Sequence, residues 1–187
     1  MTEVSSSPPS ALTFLAHRWP TFAGLAAMAL AVMDDQDGRN QALVVFLAAL
    51  IYLGTALVGR PEVVWILFGA AVAGVTVVRV LDGELWTVLV AAGVSVIVLS
   101  LVSGLPRGPR LAAVQIPLML VFGAAAVVAL SLDPVLGAWL VAVALIGHAV
   151  QDVIVWRSGK VVARSLAEFC AVLDFTLGIA IVILQFV

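Results

Sequence analysis

The sequence predicts an all-α fold, a polytopic membrane helix bundle of seven transmembrane helices that forms a single domain over residues 19–187. Hydrophobic residues make up 64 % of the 187 residues and charged residues only 11 %. A soluble domain usually carries about a quarter charged residues. Seven apolar stretches approach the roughly 17–25 residues that a helix needs to cross a bilayer. Lipid is therefore the expected solvent for much of the chain.

The first three helices are predicted from apolar runs that are separated by charged, glycine and proline residues. The first is Trp19–Met33, in which Pro20 suits a helix start, and it is short unless residues 11–17 extend it across a kink. The second covers residues 41–58 and the third residues 62–80.

The last four helices are predicted at residues 85–102, 111–130, 134–156 and 165–186. Backbone groups in lipid must be satisfied internally, which favours helices. The segments are also too long and too uniformly apolar for the strands of a membrane barrel.

Arginine and lysine residues predict the orientation. The N-terminal segment and the loops after the second, fourth and sixth helices hold seven of the nine basic residues, and only Arg39 and Arg79 lie on the other side. These seven are Arg18, Arg60, Arg107, Arg110, Arg157, Lys160 and Arg164. Because cytoplasmic loops are enriched in arginine and lysine, we expect a multi-pass protein of the cell membrane with a cytoplasmic N-terminus and an external C-terminus.

The composition of the N-terminal segment and the positions of the tryptophans agree with this arrangement. Residues 1–18 are expected to form a cytoplasmic N-terminal segment, partly disordered or interfacial, and they lack the pattern of a removable signal peptide. All five tryptophans fall within a turn or two of a predicted helix end, as in an aromatic belt.

A glycine beside other small residues recurs in the odd-numbered helices, at Gly24, Gly69, Gly123 and Gly178. One interpretation is a helical hairpin repeated three times and followed by a final helix, since such duplications are common in transporters. The alternative is that small residues recur in membrane helices because they permit close packing.

The middles of the first five helices are almost free of ionisable side chains, whereas the last two helices carry a candidate polar site. Its residues are His148, Gln151, Asp152, Glu168, Cys170 and Asp174. The three on the sixth helix share one face, because they are spaced at i, i+3 and i+4. On the seventh helix, Glu168 lies about a third of a turn away from Asp174.

The expected depths of these residues favour a function. At 1.5 Å per residue, His148 and Asp174 come out level on antiparallel helices, with Asp152 and Glu168 nearer the cytoplasm. A charged carboxylate at a helix centre costs about 2.5–3.5 kcal/mol, so ionisable groups there usually serve a function. We expect His148 and Asp174 to form a central pair, with Asp152 and Glu168 relaying protons or cations to the cytoplasm. The alternative is a structural lock between the two helices.

One acid on each of the last two helices, Asp152 and Asp174, is similar to the arrangement in the Bax-inhibitor-type calcium-leak membrane proteins. The resemblance is confined to these helices. It implies a seven-helix fold in which a facing aspartate pair acts as a pH-sensitive gate. His148 and the basic loop at residues 157–164 depart from that family's pattern.

Three functions remain open from the sequence. The leading one is a proton- or cation-linked transporter or leak channel. The second is an accessory or structural subunit of a larger membrane complex. The third is a lipid-binding or lipid-active protein, in which the polar site would supply acid–base groups. For Arg157, Lys160 and Arg164 we expect a role in topology or in contact with anionic lipid headgroups.

Several classes of site are excluded or not favoured. The single cysteine excludes an intrachain disulfide, and the two histidines, His17 and His148, exclude a three-histidine zinc site. No Gly-x-Ser-x-Gly elbow is present, and enzyme activity is not favoured. We expect no cofactor, although His148, Asp152 and Asp174 have the ligand types of a zinc site.

The expected partners follow from the same features. Membrane lipids, protons or cations, and a membrane-protein partner or a second copy of the chain are the candidates. Nucleic acid is not, because the chain has neither a basic run nor an RNA-binding motif. Tyr52 and Gln115 are expected to assist helix packing unless they face the same cavity as the polar site.

Overall fold

The computed structural model describes residues 16–34 and 38–186, and over these ranges the regular structure is helical. It contains seven helices, numbered in chain order: α1 Trp19–Asp34, α2 Ala42–Val58, α3 Val64–Val80, α4 Leu85–Val102, α5 Arg110–Ser131, α6 Pro134–Ser158 and α7 Arg164–Leu184. Most of the predicted N-terminal segment, the acidic residues Asp35 and Asp37, and Val187 lie outside the described residues.

The all-helical bundle is thereby confirmed, and the predicted helix bounds differ from the observed ones by at most two residues at either end. Helices α2 to α7 are each long and apolar enough to cross a membrane, when the 3₁₀ turns Arg39–Gln41 and Pro61–Val63 are counted with α2 and α3. The apolar part of α1, Trp19–Met33, is shorter.

Local sequence signals explain where several of the helices begin or end. At the start of α6, the Asp133 carboxylate accepts a hydrogen bond from the Leu136 amide at 3.1 Å, and Pro134 occupies the first turn. Helices α2 and α6 end at Gly59 and Gly159, whose positive φ angles of 71° and 62° favour glycine. In α5, Pro117 has no N–H to donate, and the helical bonding is interrupted just before it, at Val114.

The core of the bundle is formed by α2, α6 and α7. In the most apolar stretch of each helix, 61 % of the residues are buried in α2, 56 % in α6 and 50 % in α7. Helices α6 and α7 form a tightly packed hairpin, α1 packs on α7, and α5 lies between α2 and α6. By contrast, only 11 % of the residues are buried in α3 and 17 % in α4, which lean on α2 at the edge of the bundle.

The four glycines of the predicted repeat have different surroundings. A Cβ on Gly24 would lie 2.7 Å from the Phe169 carbonyl oxygen, and one on Gly178 would lie 2.9 Å from Ile146 and 3.1 Å from the Ala142 carbonyl oxygen. Gly24 and Gly178 therefore allow α1 and α6 to approach α7 closely. A Cβ on Gly69 would meet nothing within 4 Å.

The helices begin and finish at two opposite ends of the bundle, and these two ends differ in charge. The basic end comprises the start of α1 and the connections α2–α3, α4–α5 and α6–α7, and it carries the seven basic residues named above. The acidic end comprises the other connections, and among its described residues are Asp82, Glu84 and Asp133. Two side-chain bonds tie the acidic end together: Arg39 donates to the Leu132 carbonyl at 3.3 Å and Gln41 to the Ala31 carbonyl at 2.9 Å.

Candidate functional site

Three ionisable side chains meet in the interior where α6 faces α7. His148 and Asp152 come from successive turns of α6, and Asp174 comes from α7. The His148 Nδ1 atom lies 2.9 Å from Asp174 Oδ2 and 3.4 Å from Asp152 Oδ2. None of the three residues is exposed to solvent. We call these residues the His–Asp cluster.

Aromatic side chains surround the imidazole. The rings of Tyr52 and Phe122 pack edge to face on the His148 ring, with centroid distances of 5.0 and 5.2 Å. The Tyr52 hydroxyl also donates a short hydrogen bond to Asp152 Oδ1. This bond adds α2 to the helices that hold the cluster.

A second buried polar pair, Gln151 and Gln115, joins α6 to α5. Gln151, between His148 and Asp152 on α6, donates from its amide nitrogen to Gln115 Oε1 at 2.8 Å. Gln115 belongs to α5 and donates in turn to the Leu111 carbonyl at 3.0 Å. Polar contacts in the core therefore join α2, α5, α6 and α7.

Several buried polar atoms of this network have no hydrogen-bond partner. They are His148 Nε2, Gln151 Oε1, Asp152 Oδ2 and Asp174 Oδ1. Buried polar atoms in native proteins are normally paired, and an unpaired one costs about 1–3 kcal/mol. Two of the four are carboxylate oxygens of the His–Asp cluster, which leaves acceptor capacity for a further positively charged group.

The cluster is also short of positive charge. In the part of the chain that the structure describes, the only ion pairs of Asp152 and Asp174 are those with His148. Two carboxylates and one imidazolium carry a net charge of −1, and a buried net charge is strongly unfavourable. The arrangement is thus suited to take up one more cation or proton.

Among the cavities that the described residues line, one lies in the middle of the bundle and one at each end. A middle cavity of about 220 Å³ lies between α1, α2, α3 and α7, and its wall includes Tyr52, Cys170 and Asp174 among otherwise apolar residues. An acidic-end cavity of about 610 Å³ shares Ala31 and Val44 with it. A basic-end cavity of about 520 Å³ reaches Thr55 on α2, one turn from Tyr52.

Glu168 lies outside the cluster, although its depth was expected to suit a relay. Its carboxylate accepts a hydrogen bond from the Thr21 hydroxyl at 2.6 Å and pairs with Arg18 at 3.2 Å. Both partners belong to the start of α1 and the residue before it. The helical phase of Glu168 directs it towards α1, so in this structure it ties α1 to α7.

The remaining predicted residues are distributed between the core and the basic end. Cys170 is buried in the wall of the middle cavity, on the same wall as Asp174. Lys160 lines the basic-end cavity, while Arg157 and Arg164 border a shallow pocket with Trp156. The three basic side chains are exposed and are not part of the cluster.

Tyr52 and Gln115 are the two members of the network that the sequence did not assign to the site. Each is the residue of its helix that binds a polar side chain of α6. A signal was present, because each is an isolated polar residue in an apolar helix and such residues usually find a buried partner. The sequence could not say which helix they face.

Across the described residues, the His–Asp cluster is also a group of three side chains whose ligand atoms could hold a metal ion, since these atoms lie within 4.8 Å of one another. Comparison with known proteins gives no significant match to a family model, to a curated protein or to a solved structure.

Proposed function

We propose that this chain is a multi-pass membrane protein that binds a proton or cation at the His–Asp cluster and moves it across the bilayer. The observation that carries the proposal is the burial of two carboxylates around one imidazole, with one oxygen on each carboxylate that makes no hydrogen bond. Such a group is poorly satisfied by the protein alone and is completed by an added positive charge.

Membrane insertion is supported by the six long apolar helices and by the exposed apolar side chains of α3 and α4. In this proposal α1 is the seventh span. The seven basic residues at one end support a cytoplasmic location for that end and with it for the N-terminus. The acidic end then faces outwards.

The cavities support a route that passes the cluster. From the acidic end, the outer cavity adjoins the middle cavity at Ala31 and Val44, and Asp174 borders the middle cavity. From the basic end, the inner cavity reaches Thr55, one helical turn from the Tyr52 that bonds Asp152. The packed cluster separates the two approaches, as a binding site between alternately opened cavities does.

The test is ion flux into proteoliposomes that contain the purified full-length protein. A pH-sensitive, a calcium-sensitive and a zinc-sensitive dye report flux for the wild type, for Asp174→Asn and for Asp82→Asn. The last is a matched control, since Asp82 is an exposed aspartate of the α3–α4 connection. We expect flux in the wild type and in Asp82→Asn, and a fall to the level of protein-free vesicles in Asp174→Asn.

The proposal would be wrong if well-reconstituted wild type moved none of these ions, or if Asp174→Asn, reconstituted to the same density, conducted as well as Asp82→Asn. Size-exclusion profiles in detergent show whether the variant remains folded and monodisperse.

The same burial favours a second candidate function, an accessory subunit in which the cluster only locks helices together. The His148–Asp174 contact at 2.9 Å is fully enclosed, and the wall of the adjoining cavity is largely apolar. On this alternative no flux occurs, and Asp174→Asn loosens the bundle or its attachment to a partner. A pull-down from native membranes with wild type and Asp174→Asn distinguishes the two.

A further inference from the structure

We infer that the His–Asp cluster is a binding site for a divalent transition-metal ion of the Zn²⁺ type. The inference rests on the cation site proposed above and names the class of ion that it takes. His148 would contribute Nδ1, and Asp152 and Asp174 would each contribute a carboxylate oxygen.

The first argument is geometric. The His148 Nδ1 atom lies 2.9 Å from one carboxylate oxygen and 3.4 Å from the other. Zinc holds nitrogen and oxygen ligands at about 2.0–2.2 Å, so two ligand atoms in a tetrahedral site are about 3.3–3.6 Å apart. The observed atoms all lie within 4.8 Å of one another. Side-chain adjustments of about an ångström or less therefore bring them onto one ion.

The second argument is charge. A divalent ion bound by two ionised carboxylates and a neutral imidazole leaves the buried site with no net charge. Without an ion, the carboxylates have only the imidazole as a charged partner. Neutralisation by a metal removes the cost of burying a carboxylate that is not fully paired.

The third argument is the set of supporting contacts. Metal-bound carboxylates are usually held by further hydrogen bonds that fix their orientation. Here the Tyr52 hydroxyl bonds Asp152 Oδ1, while Oδ2 makes no hydrogen bond and faces His148 Nδ1 at 3.4 Å. Asp174 Oδ1 is also without a partner. Both carboxylates thus keep one buried oxygen that makes no hydrogen bond.

The ligand types decide the class of ion. Imidazole suits Zn²⁺ and the neighbouring transition metals, whereas Mg²⁺ and Ca²⁺ prefer sites built only from oxygen. A site of one imidazole and two carboxylates is therefore expected to reject Mg²⁺ and Ca²⁺. The middle cavity, between α1, α2, α3 and α7, borders Asp174 and brings open space to the cluster.

The experiment measures metal binding to the tag-free, full-length protein in detergent, stripped with a chelator and then equilibrated with Zn²⁺ alone. Mass spectrometry of the metal content is expected to find about one zinc per chain for the wild type and for the control Asp82→Asn. Asp174→Asn and Asp152→Asn should lose at least nine tenths of it. In the wild type, a hundredfold excess of Mg²⁺ or Ca²⁺ should leave the zinc in place.

A second measurement on the wild type does not depend on how the variants fold. Co²⁺ added in place of Zn²⁺ should give visible absorption of a four- or five-coordinate site, and one equivalent of Zn²⁺ should abolish it. The inference is overturned if the wild type binds no stoichiometric zinc, if Mg²⁺ displaces it, or if the folded Asp174→Asn protein binds as much as Asp82→Asn.

Failure here and failure of the proposed transport are distinguishable. Proton flux that needs Asp174, in a protein that binds no zinc, overturns the metal assignment and leaves the proposed function standing. Stoichiometric zinc without flux of any ion supports the metal site and removes transport.

Discussion

Asp152 is the residue on which the polar core depends, because it faces His148 on its own helix and accepts a hydrogen bond from Tyr52 on α2. Both Asp152 and Tyr52 are completely buried. A buried polar network stabilises one arrangement when it is satisfied and is costly when one member is removed. The Tyr52 hydroxyl is the one neutral donor to the carboxylates among the described contacts of the cluster.

Replacing Tyr52 by phenylalanine tests that dependence. Tyr52→Phe keeps the ring that packs on His148 and removes only the donor to Asp152, so the free energy of unfolding should fall by about 1–3 kcal/mol. Unfolding by SDS in mixed micelles, followed by circular dichroism, measures the loss.

The matched comparison uses an Asp152→Leu background, in which the acceptor is absent and the Tyr52 hydroxyl is itself unpaired. There Tyr52→Phe should be neutral or stabilising, so the two changes are coupled. Equal losses in both backgrounds would show that the Tyr52 hydroxyl stabilises the fold independently of Asp152 and that its hydrogen bond to this carboxylate contributes nothing.

The position of a site residue along its helix was easier to predict from the sequence than the neighbouring helix that its side chain faces. Counting residues along antiparallel helices placed His148 level with Asp174, and the structure has them in contact. Glu168 was placed at a suitable depth, but its direction around α7 brings it to Arg18 and Thr21. Direction depends on which helix is the neighbour, and this information is absent from the local sequence.

At the scale of the helices, the bounds were predictable because they depend on composition and local signals. Helix α4 begins and ends at the predicted residues, Leu85 and Val102. The packing of the helices was not predictable, because almost every helix is apolar on all sides and no apolar face distinguishes core from surface. The peripheral position of α3 and α4 is therefore known only from the structure.

Two glycines that the predicted repeat makes equivalent offer a direct test of helix packing. Gly24→Ala places a Cβ 2.7 Å from the Phe169 carbonyl oxygen, whereas Gly69→Ala meets nothing within 4 Å. Overpacking typically costs about 1–3 kcal/mol, so Gly24→Ala should destabilise the α1–α7 contact by that amount. Gly69→Ala should be neutral or slightly stabilising, since alanine favours a helix.

Thermal unfolding of the two variants in the same detergent gives the comparison. A larger loss for Gly69→Ala than for Gly24→Ala would contradict the arrangement in which α1 packs on α7 and α3 lies at the edge. Equal and substantial losses would instead favour the hairpin repeat, in which the two positions have the same role.

At the scale of the whole molecule, charge and cavities are both organised along one axis. The described acidic residues Asp82, Glu84 and Asp133 lie at the end opposite to the seven basic residues, Glu62 lies at the basic end, and a cavity occurs at each end. The connections are short, so each helix reverses the direction of the previous one. A membrane normal parallel to this axis places the His–Asp cluster between the two aqueous sides.

Cysteine labelling in intact cells tests this orientation. In a Cys170→Ala background, Ser103→Cys marks the basic end and Ser131→Cys the acidic end, and both serines are exposed residues next to helix ends. Because the basic end is expected in the cytoplasm, a membrane-impermeant maleimide should label Ser131→Cys in intact cells and label Ser103→Cys only after permeabilisation. The reverse pattern would put the acidic end inside and invert the direction of the proposed route. Labelling of both sites in intact cells would contradict a bundle that spans the membrane along this axis.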